Sequence, residues 1–184
     1  MKPRNLVISL ALLGGLAVAG TAQAAGKIYI GGKVGIVDAD SGAPGASFDP
    51  AIAVGVYGGF NMLGKDSQFA ANLNGGTLAV EGEAMLTVVK GDAGVAGDWD
   101  INSIGAYAAY RHPLTDYFYL KGKAGLVHYK IDTDLFSGTY GDTSNTLALG
   151  IGAGWKVGPG SLEVDLVTYG SDVRMLSAGF HMSF

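Results

Sequence analysis

Seven charged residues lie in segments that otherwise consist of apolar residues and glycine, and they are the first candidates for chemistry. Six of them form pairs separated by one residue, which places both members on the same face of a strand. Opposite charges that share an enclosed, poorly hydrated space are expected to pair, because an unpaired buried charge is costly. The seven residues are Lys33, Glu81, Glu83, Lys121, Lys123, Glu163 and Asp165.

Two functions fit such a network if the charges line the interior of a narrow barrel. The charges can act as a gate that opens a small conduit, or as a structural plug that fills the interior. An eight-stranded barrel has an interior just wide enough to be filled by side chains, which favours the plug. The sequence therefore predicts a charge network in the lumen and leaves both functions open.

A second group of acidic residues consists of three Asp-x-Asp pairs at the ends of predicted loops. Carboxylate oxygens gathered at one rim could hold a hard divalent cation. The simpler interpretation is solvated loop charge, which is favoured because the sequence contains no complete calcium-loop pattern. We therefore expect neither a dedicated metal site nor a cofactor. The weak rim candidates are Asp38, Asp40, Asp98, Asp100, Asp132 and Asp134.

Candidate catalytic residues are few. His181 and Ser183 lie two residues apart on one face of a predicted strand, but no acidic residue is placed by the sequence to orient the histidine. The chain has no Gly-x-Ser-x-Gly elbow, and His112 and His128 lack metal-ligand spacing. We expect a protein that is not an enzyme, with a lipid-modifying activity as the least favoured alternative.

The elements that position these residues alternate between apolar and small or charged residues at every second position, as half-buried strands do. Charges share their face with glycine, alanine and serine, which suits a crowded interior, while the opposite face is apolar and suits lipid. The pattern predicts an all-β fold, an eight-stranded antiparallel up-and-down transmembrane β-barrel. The predicted strands occupy residues 28–36, 52–60, 78–86, 103–110, 118–126, 147–156, 162–166 and 176–184.

The predicted connections alternate in length, as they do in outer-membrane barrels, where short turns face the periplasm and long loops face outward. Residues 113–116 and 158–160 form the short turns, and the outer connection at 170–172 is also brief. The stretch from Asn61 to Gly76 is longer than a periplasmic turn should be. The predicted long loops are residues 38–50, 88–98 and 132–145.

The first 24 residues have the order of a secretory signal peptide. Lys2 and Arg4 precede an apolar core of about 13 residues, too short to cross a bilayer, and small residues follow at Ala22 and Ala24. We expect cleavage after Ala24 and a mature barrel domain of residues 25–184. The net charge of −4 argues against a nucleic-acid partner. The chain has no cysteine, which excludes disulfides, thiolate zinc sites and lipid attachment.

Several segments together resemble the small outer-membrane β-barrel proteins, the group that includes the opacity proteins and the membrane domain of outer membrane protein A. The resemblance spans the predicted mature chain and implies a fold and an outer-membrane location. Members differ in role, among them adhesion, surface protection and envelope stability, so function does not follow from the fold. The segments are residues 27–35, 54–61, 78–83, 119–125 and the terminal Phe184.

The resemblance also implies partners. Outer-membrane lipid and lipopolysaccharide would surround the barrel, and the acidic rim could share the cations that bridge lipopolysaccharide. Phe180, Met182 and Phe184 resemble the carboxy-terminal signal that the barrel-assembly machinery reads. The functional hypothesis is an integral outer-membrane protein of structural or surface-interaction type. The alternative is a narrow porin-like channel or carrier for small solutes, and the sequence names no external ligand.

Overall fold

The computed structural model describes residues 28–39, 49–63, 72, 75–94, 97–135 and 138–184. The predicted signal peptide, Asp40 and most of the connection between Asn61 and Gly76 lie outside the described residues. Within those ranges, no helix combines the length and the apolar composition that crossing a membrane requires.

The described chain folds into strands joined by turns. Eight strands are long and one, β4, has two residues. The strands are β1 (Ile28–Ala39), β2 (Ala51–Leu63), β3 (Thr77–Val89), β4 (Gly91–Asp92), β5 (Asp98–Pro113), β6 (Phe118–Leu135), β7 (Gly138–Val157), β8 (Gly160–Tyr169) and β9 (Val173–Ser183).

The long strands form one closed antiparallel sheet. Each pairs with its neighbours along the chain, and β3 pairs with β5 because β4 lies beside only the first residues of β5. The first and last strands close the sheet, in a ladder that begins with Tyr29 opposite Ser183. Closure pairs the barrel part of every long strand on both sides, as a lipid environment requires. The predicted all-β, eight-stranded antiparallel barrel is confirmed, with β4 as a short addition.

The distribution of side chains is the reverse of that in a soluble protein. Large aliphatic residues face outward, and Leu126 and Ile151 expose 69% and 70% of their surface. Charged residues face inward, where Glu81 and Lys121 expose 2% and 3%. An apolar belt around a polar interior is the arrangement that lipid-embedded barrels have.

The two ends of the barrel differ. One end, the turn end, carries the connections at residues 114–117 and 158–159 and both termini of the described chain. Thr115 Oγ1 accepts hydrogen bonds from the backbone N–H groups of Tyr117 and Phe118, and Gly158 adopts a φ of 59°. The opposite end is the loop end. Short turns are typical of the periplasmic side.

At the loop end, the strands are longer than the sequence pattern predicted. The predicted loop at 132–145 is wrong, because β6 and β7 continue their ladder to Leu135 opposite Gly138. The predicted loop at 88–98 likewise contains β4. Beyond the membrane both faces of a strand meet water, so the contrast between apolar and polar positions disappears although the backbone pairing persists.

A pair of substitutions on β6 tests whether the apolar belt contacts lipid. Ala124 and His128 both face outward, but Ala124 lies within the belt and His128 lies at its loop-end margin, where it hydrogen-bonds Asn145. We expect Ala124→Arg to lower the free energy of unfolding by about 2–4 kcal/mol and His128→Arg by about 0–1 kcal/mol. Urea unfolding in lipid vesicles measures both, and equal costs would contradict the assignment of the belt.

Candidate functional site: the barrel interior

The interior is divided into two layers along the barrel axis. Nearer the turn end it holds ionised side chains, the charged layer, and nearer the loop end it holds mainly apolar side chains, the apolar layer. The charged layer consists of Lys33, Glu81, Glu83, Arg111, Lys121, Lys123, Glu163 and Asp165. The apolar layer consists of Val37, Ala39, Ala51, Ala53, Met85, Ala93, Trp99, Ile101, Tyr107, Val127, Tyr129, Ala148, Val167, Tyr169, Val173 and Met175.

Strand alternation directs the charged side chains inward, and glycine on β7 makes room for them. At Gly152 and Gly154 a β-carbon would collide with Asp165 and with the ring of Tyr119, respectively. Both glycines face the interior at the height of the charged layer. The glycine content of the inward face therefore follows from the bulk of the ionised and aromatic side chains opposite.

Lys121 lies among three carboxylates. Its Nζ is 2.8 Å from Glu163 Oε2, 3.1 Å from Glu81 Oε1 and 3.3 Å from Asp165 Oδ2. The three acids come from β3 and β8, neither of which is adjacent to β6. These contacts therefore cross the interior and require a closed barrel.

Glu83 joins two lysines from different strands. Its Oε2 accepts hydrogen bonds from Lys33 Nζ at 2.6 Å and from Lys123 Nζ at 2.9 Å. Lys33 also lies 3.8 Å from Asp165 Oδ2, which links this group to the one around Lys121. The seven residues identified in the sequence thus meet in one network of ion pairs.

Arg111 completes the network and was missed by the sequence reasoning. Its Nε donates to Glu163 Oε1 at 3.0 Å, its Nη2 donates to Glu81, and its guanidinium lies 4.5 Å from the centre of the Tyr29 ring. The available signal was its position, two residues after Ala109 on the inward face of β5. With Arg111 the charged layer has four positive and four negative side chains, whereas the seven predicted residues left one excess negative charge.

Two tyrosine hydroxyl groups donate to the same carboxylate oxygen atoms that Arg111 contacts. Tyr29 donates to Glu81 Oε1 at 2.7 Å, and Tyr119 donates to Glu163 Oε1 at 2.6 Å. His181 Nδ1 lies 3.1 Å from the Tyr57 hydroxyl, and its ring packs against those of Tyr29 and Tyr57. Satisfying lone pairs in this way offsets the cost of burying the acids.

A roof of loop-end residues covers the apolar layer. Trp99, at the start of β5, is 1% exposed, and its Nε1 donates to the Asp49 carbonyl at 3.0 Å. The Asp49 N–H in turn donates to the carbonyl of Asp92 on β4 at 2.7 Å. This short strand therefore ties the loop between β3 and β5 to the beginning of β2 above the interior.

At the loop-end rim, the acids interact with lysines. Asp98 stands opposite Asp134 in the β5–β6 ladder, and Asp100 stands opposite Asp132. Like charges in such positions destabilise a sheet. Lys90 Nζ offsets this at 2.5 Å from Asp134 and 3.2 Å from Asp100, and these hydrogen bonds raise the pKa of Lys90.

The remaining rim residues are dispersed. Lys130 pairs with Asp132 on the same strand, and Asp38 stands opposite Arg174 in the β1–β9 ladder. Among the described residues, no group of three or more acids, histidines or cysteines is arranged to hold a metal ion.

The carboxy-terminal residues lie on the outer surface near the turn end. Phe180 and Met182 face outward from β9, and Phe184 is 73% exposed with its N–H donating to the Ile28 carbonyl at 2.8 Å. Phe118 and Trp155 stack nearby on the same belt, with ring centres 5.4 Å apart. Aromatic residues at this level are typical of a membrane interface.

Comparison with known proteins gives a family match. Residues 8–171 match the family described as "Outer membrane protein beta-barrel domain". No curated protein matches the chain.

Two solved structures share the fold. The attachment invasion locus protein Ail of Yersinia pestis is 16% identical, with a TM-score of 0.54 over 86% of this chain and 97% of that one. Neisserial surface protein A is 19% identical, with a TM-score of 0.57 over 85% of this chain and 97% of that one. Ail has also been solved with the heparin analogue sucrose octasulfate. At these identities, the likeness extends to the fold alone.

Proposed function

Because the chain belongs to the outer membrane protein β-barrel family, we propose that it is an integral outer-membrane protein with a sealed interior, acting through its structure and its loop-end surface. The observation that carries this proposal is the filling of the interior by two different layers. The charged layer opposes opening through its ion pairs, and the apolar layer opposes the entry of ions.

The charged layer supports a plug more than a gate. Opening a path past Lys121 separates it from the carboxylates of Glu81, Glu163 and Asp165. Breaking one side of a buried ion pair typically costs about 3–5 kcal/mol. Lys121 has three such partners, so no single displaced side chain frees it.

The apolar layer supports the same conclusion independently. Met85, Val127 and Met175 are each at most 2% exposed and fill the interior between the charged layer and the roof. An ion that crossed this layer would exchange its hydration shell for mainly apolar side chains and a few tyrosine hydroxyl groups, which costs far more than thermal energy. The porin-like alternative is correspondingly less supported.

Conductance of the purified protein in a planar lipid bilayer tests the proposal. We expect no steady current above that of the bare bilayer, because both layers would have to rearrange to admit an ion. Heat-dependent mobility in electrophoresis verifies that the inserted protein is folded. A steady, ion-selective open state would contradict the proposal and favour the channel.

We also propose that the protein has no catalytic role. His181 is 4% exposed and enclosed by Tyr29 and Tyr57, so a lipid substrate has no path to its ring. Ser183 lies at the end of β9, beyond that enclosure. Unchanged lipid A in cells that express the protein is the expected result, and altered lipid A would contradict it.

The proposed partners follow from the surface. We propose that the apolar belt contacts outer-membrane lipid and that the rim contacts lipopolysaccharide headgroups. Phe180, Met182 and Phe184 suit recognition by the barrel-assembly machinery during insertion. Export through a cleaved signal peptide at residues 1–24 stays a prediction. The polyanionic ligand of Ail is not carried over, because the described loop-end residues include nine aspartates and only three basic residues, Lys90, Lys130 and Arg174.

A further inference from the structure

One segment of β7 is paired on a single side. The β6–β7 ladder continues to Gly138, whereas the β7–β8 ladder stops where Ala148 stands opposite Tyr169. Residues 138–146 therefore rise past the end of β8, and in the described parts of the chain no strand pairs with their other side. At about 3.3 Å per residue, this open edge is about 30 Å long.

The direction of the backbone groups along the open edge can be assigned. The Leu147 carbonyl accepts a hydrogen bond from Gly170 N–H at 2.9 Å, on the β8 side of β7. Since backbone groups alternate in direction along a strand, those of Gly141, Thr143 and Asn145 also point to that side. The Thr143 N–H fits this assignment, because it donates to the adjacent Asp142 carboxylate and not to β6.

The opposite edge of the same projecting sheet is covered. There, β4 pairs with the start of β5, through Gly91 opposite Trp99 and Asp92 opposite Asp98. Exposed edges are usually also protected by lysine, proline or a bulge. Residues 138–146 contain neither lysine nor proline, and their pairing with β6 is regular. Thr143 and Thr146 lie on this edge, and threonine is a residue type that favours strands.

The orientation of the barrel disfavours a second copy as the occupant. Two copies in one membrane are related by an axis along the membrane normal, so their β7 edges would run parallel. A parallel pair of strands is less stable per residue than an antiparallel pair. A separate extended polypeptide can approach in either direction.

The charges beside the open edge favour a basic occupant. Asp142 is exposed on the edge strand, and Asp172 is exposed in the turn whose Gly170 is bonded to the base of the edge. The nearest lysine on β6, Lys130, is already paired with Asp132. We propose that residues 138–146 bind an extended, basic polypeptide segment by adding it as a strand beside β7. This proposal rests on the surface-interaction role proposed above and names its partner class.

A synthetic peptide and a proline variant test the proposal. The probe is a nonapeptide of alternating lysine and threonine with blocked ends, added to the folded protein in lipid vesicles and followed by fluorescence anisotropy. We expect saturable binding that Thr143→Pro weakens about tenfold, because proline removes a donor on the open side while the ladder to β6 is kept. Thr143→Val retains the N–H and should bind within about twofold of the wild type.

Two control peptides separate strand pairing from charge attraction. A version N-methylated at its five central residues keeps the charge but loses the backbone donors, and it should not bind. A glutamate–threonine peptide keeps the donors and should bind more weakly than the lysine peptide.

Several outcomes would overturn the strand-addition proposal. These are equal binding of the methylated peptide, unchanged binding by Thr143→Pro, or no binding of the lysine peptide. Sedimentation showing a dimer that Thr143→Pro dissociates would assign the edge to a second copy instead. Conductance is recorded on the same preparation. If the protein does not conduct ions and does not bind the lysine peptide, only the strand-addition proposal is overturned. If the protein conducts ions, the proposed function is overturned.

Discussion

Replacing Glu83 by glutamine is expected to lower the free energy of unfolding by about 3–5 kcal/mol. The Oε2 atom of Glu83 is the shared acceptor of Lys33 and Lys123, at 2.6 and 2.9 Å, and all three side chains are nearly fully buried. The amide of glutamine carries no charge, so two ammonium groups would share the distant carboxylate of Asp165, which is 3.8 Å from Lys33. Urea unfolding in lipid vesicles measures the loss.

A double-mutant cycle shows whether the loss comes from the pair. Adding Lys123→Met should recover part of it, because Lys33 alone then needs the remaining carboxylate. We expect a coupling energy of about 1–3 kcal/mol between positions 83 and 123. The half-exposed pair Lys130 and Asp132 is the matched control and should couple by less than about 1 kcal/mol. Additive effects at positions 83 and 123 would contradict the contact across the interior.

Replacing Phe184 by aspartate is expected to remove most of the protein from the outer membrane while its export to the periplasm continues. Phe184 is 73% exposed at the turn end, at the level of the membrane interface. The substitution puts a charge there in place of an aromatic ring, the group that favours this interface. Fractionation of cells followed by immunoblotting measures both compartments.

Two controls separate recognition from stability in the Phe184 experiment. Phe184→Tyr keeps an interfacial aromatic ring and should assemble normally. Refolding of Phe184→Asp into detergent should proceed, because the backbone bond from residue 184 to Ile28 does not use the side chain. A normal outer-membrane level of Phe184→Asp would defeat the assignment of the assembly signal.

The strands were predictable because lipid imposes one requirement on every second residue of the belt. Alternation along segments such as residues 28–36 and 118–126 defines both faces, and the observed burial follows it. The spacing of Glu81 with Glu83 and of Lys121 with Lys123 likewise places these charges on the inward face. Their partners across the interior depend on strand order and register, which no single segment encodes.

Other features were hidden for identifiable reasons. Arg111 lies between the predicted strand, which ends at Tyr110, and the predicted turn, which begins at Pro113, whereas β5 extends to Pro113 and keeps the arginine on its inward face. In the apolar layer, outward residues such as Ile36 and inward residues such as Val37 are both apolar. Where both faces of a strand are apolar, the sequence does not alternate between apolar and polar residues. The apolar layer could therefore not be inferred from the periodic pattern.

The β1–β9 pairing, which closes the barrel, could form in a shifted register without any loss in hydrophobic burial. A slip of two residues there keeps every side chain on its own face and preserves nearly all backbone bonds, so neither hydrophobicity nor the ladder opposes it. It would, however, move Lys33 from its place opposite Gly179 to one opposite Ser177 or His181. Side chains that reach across this strand pair would shift by about 7 Å, which separates Lys33 from Asp165 and Tyr57 from His181. The buried polar contacts thus select one register for the closing strand pair, although the backbone hydrogen bonds alone are compatible with several.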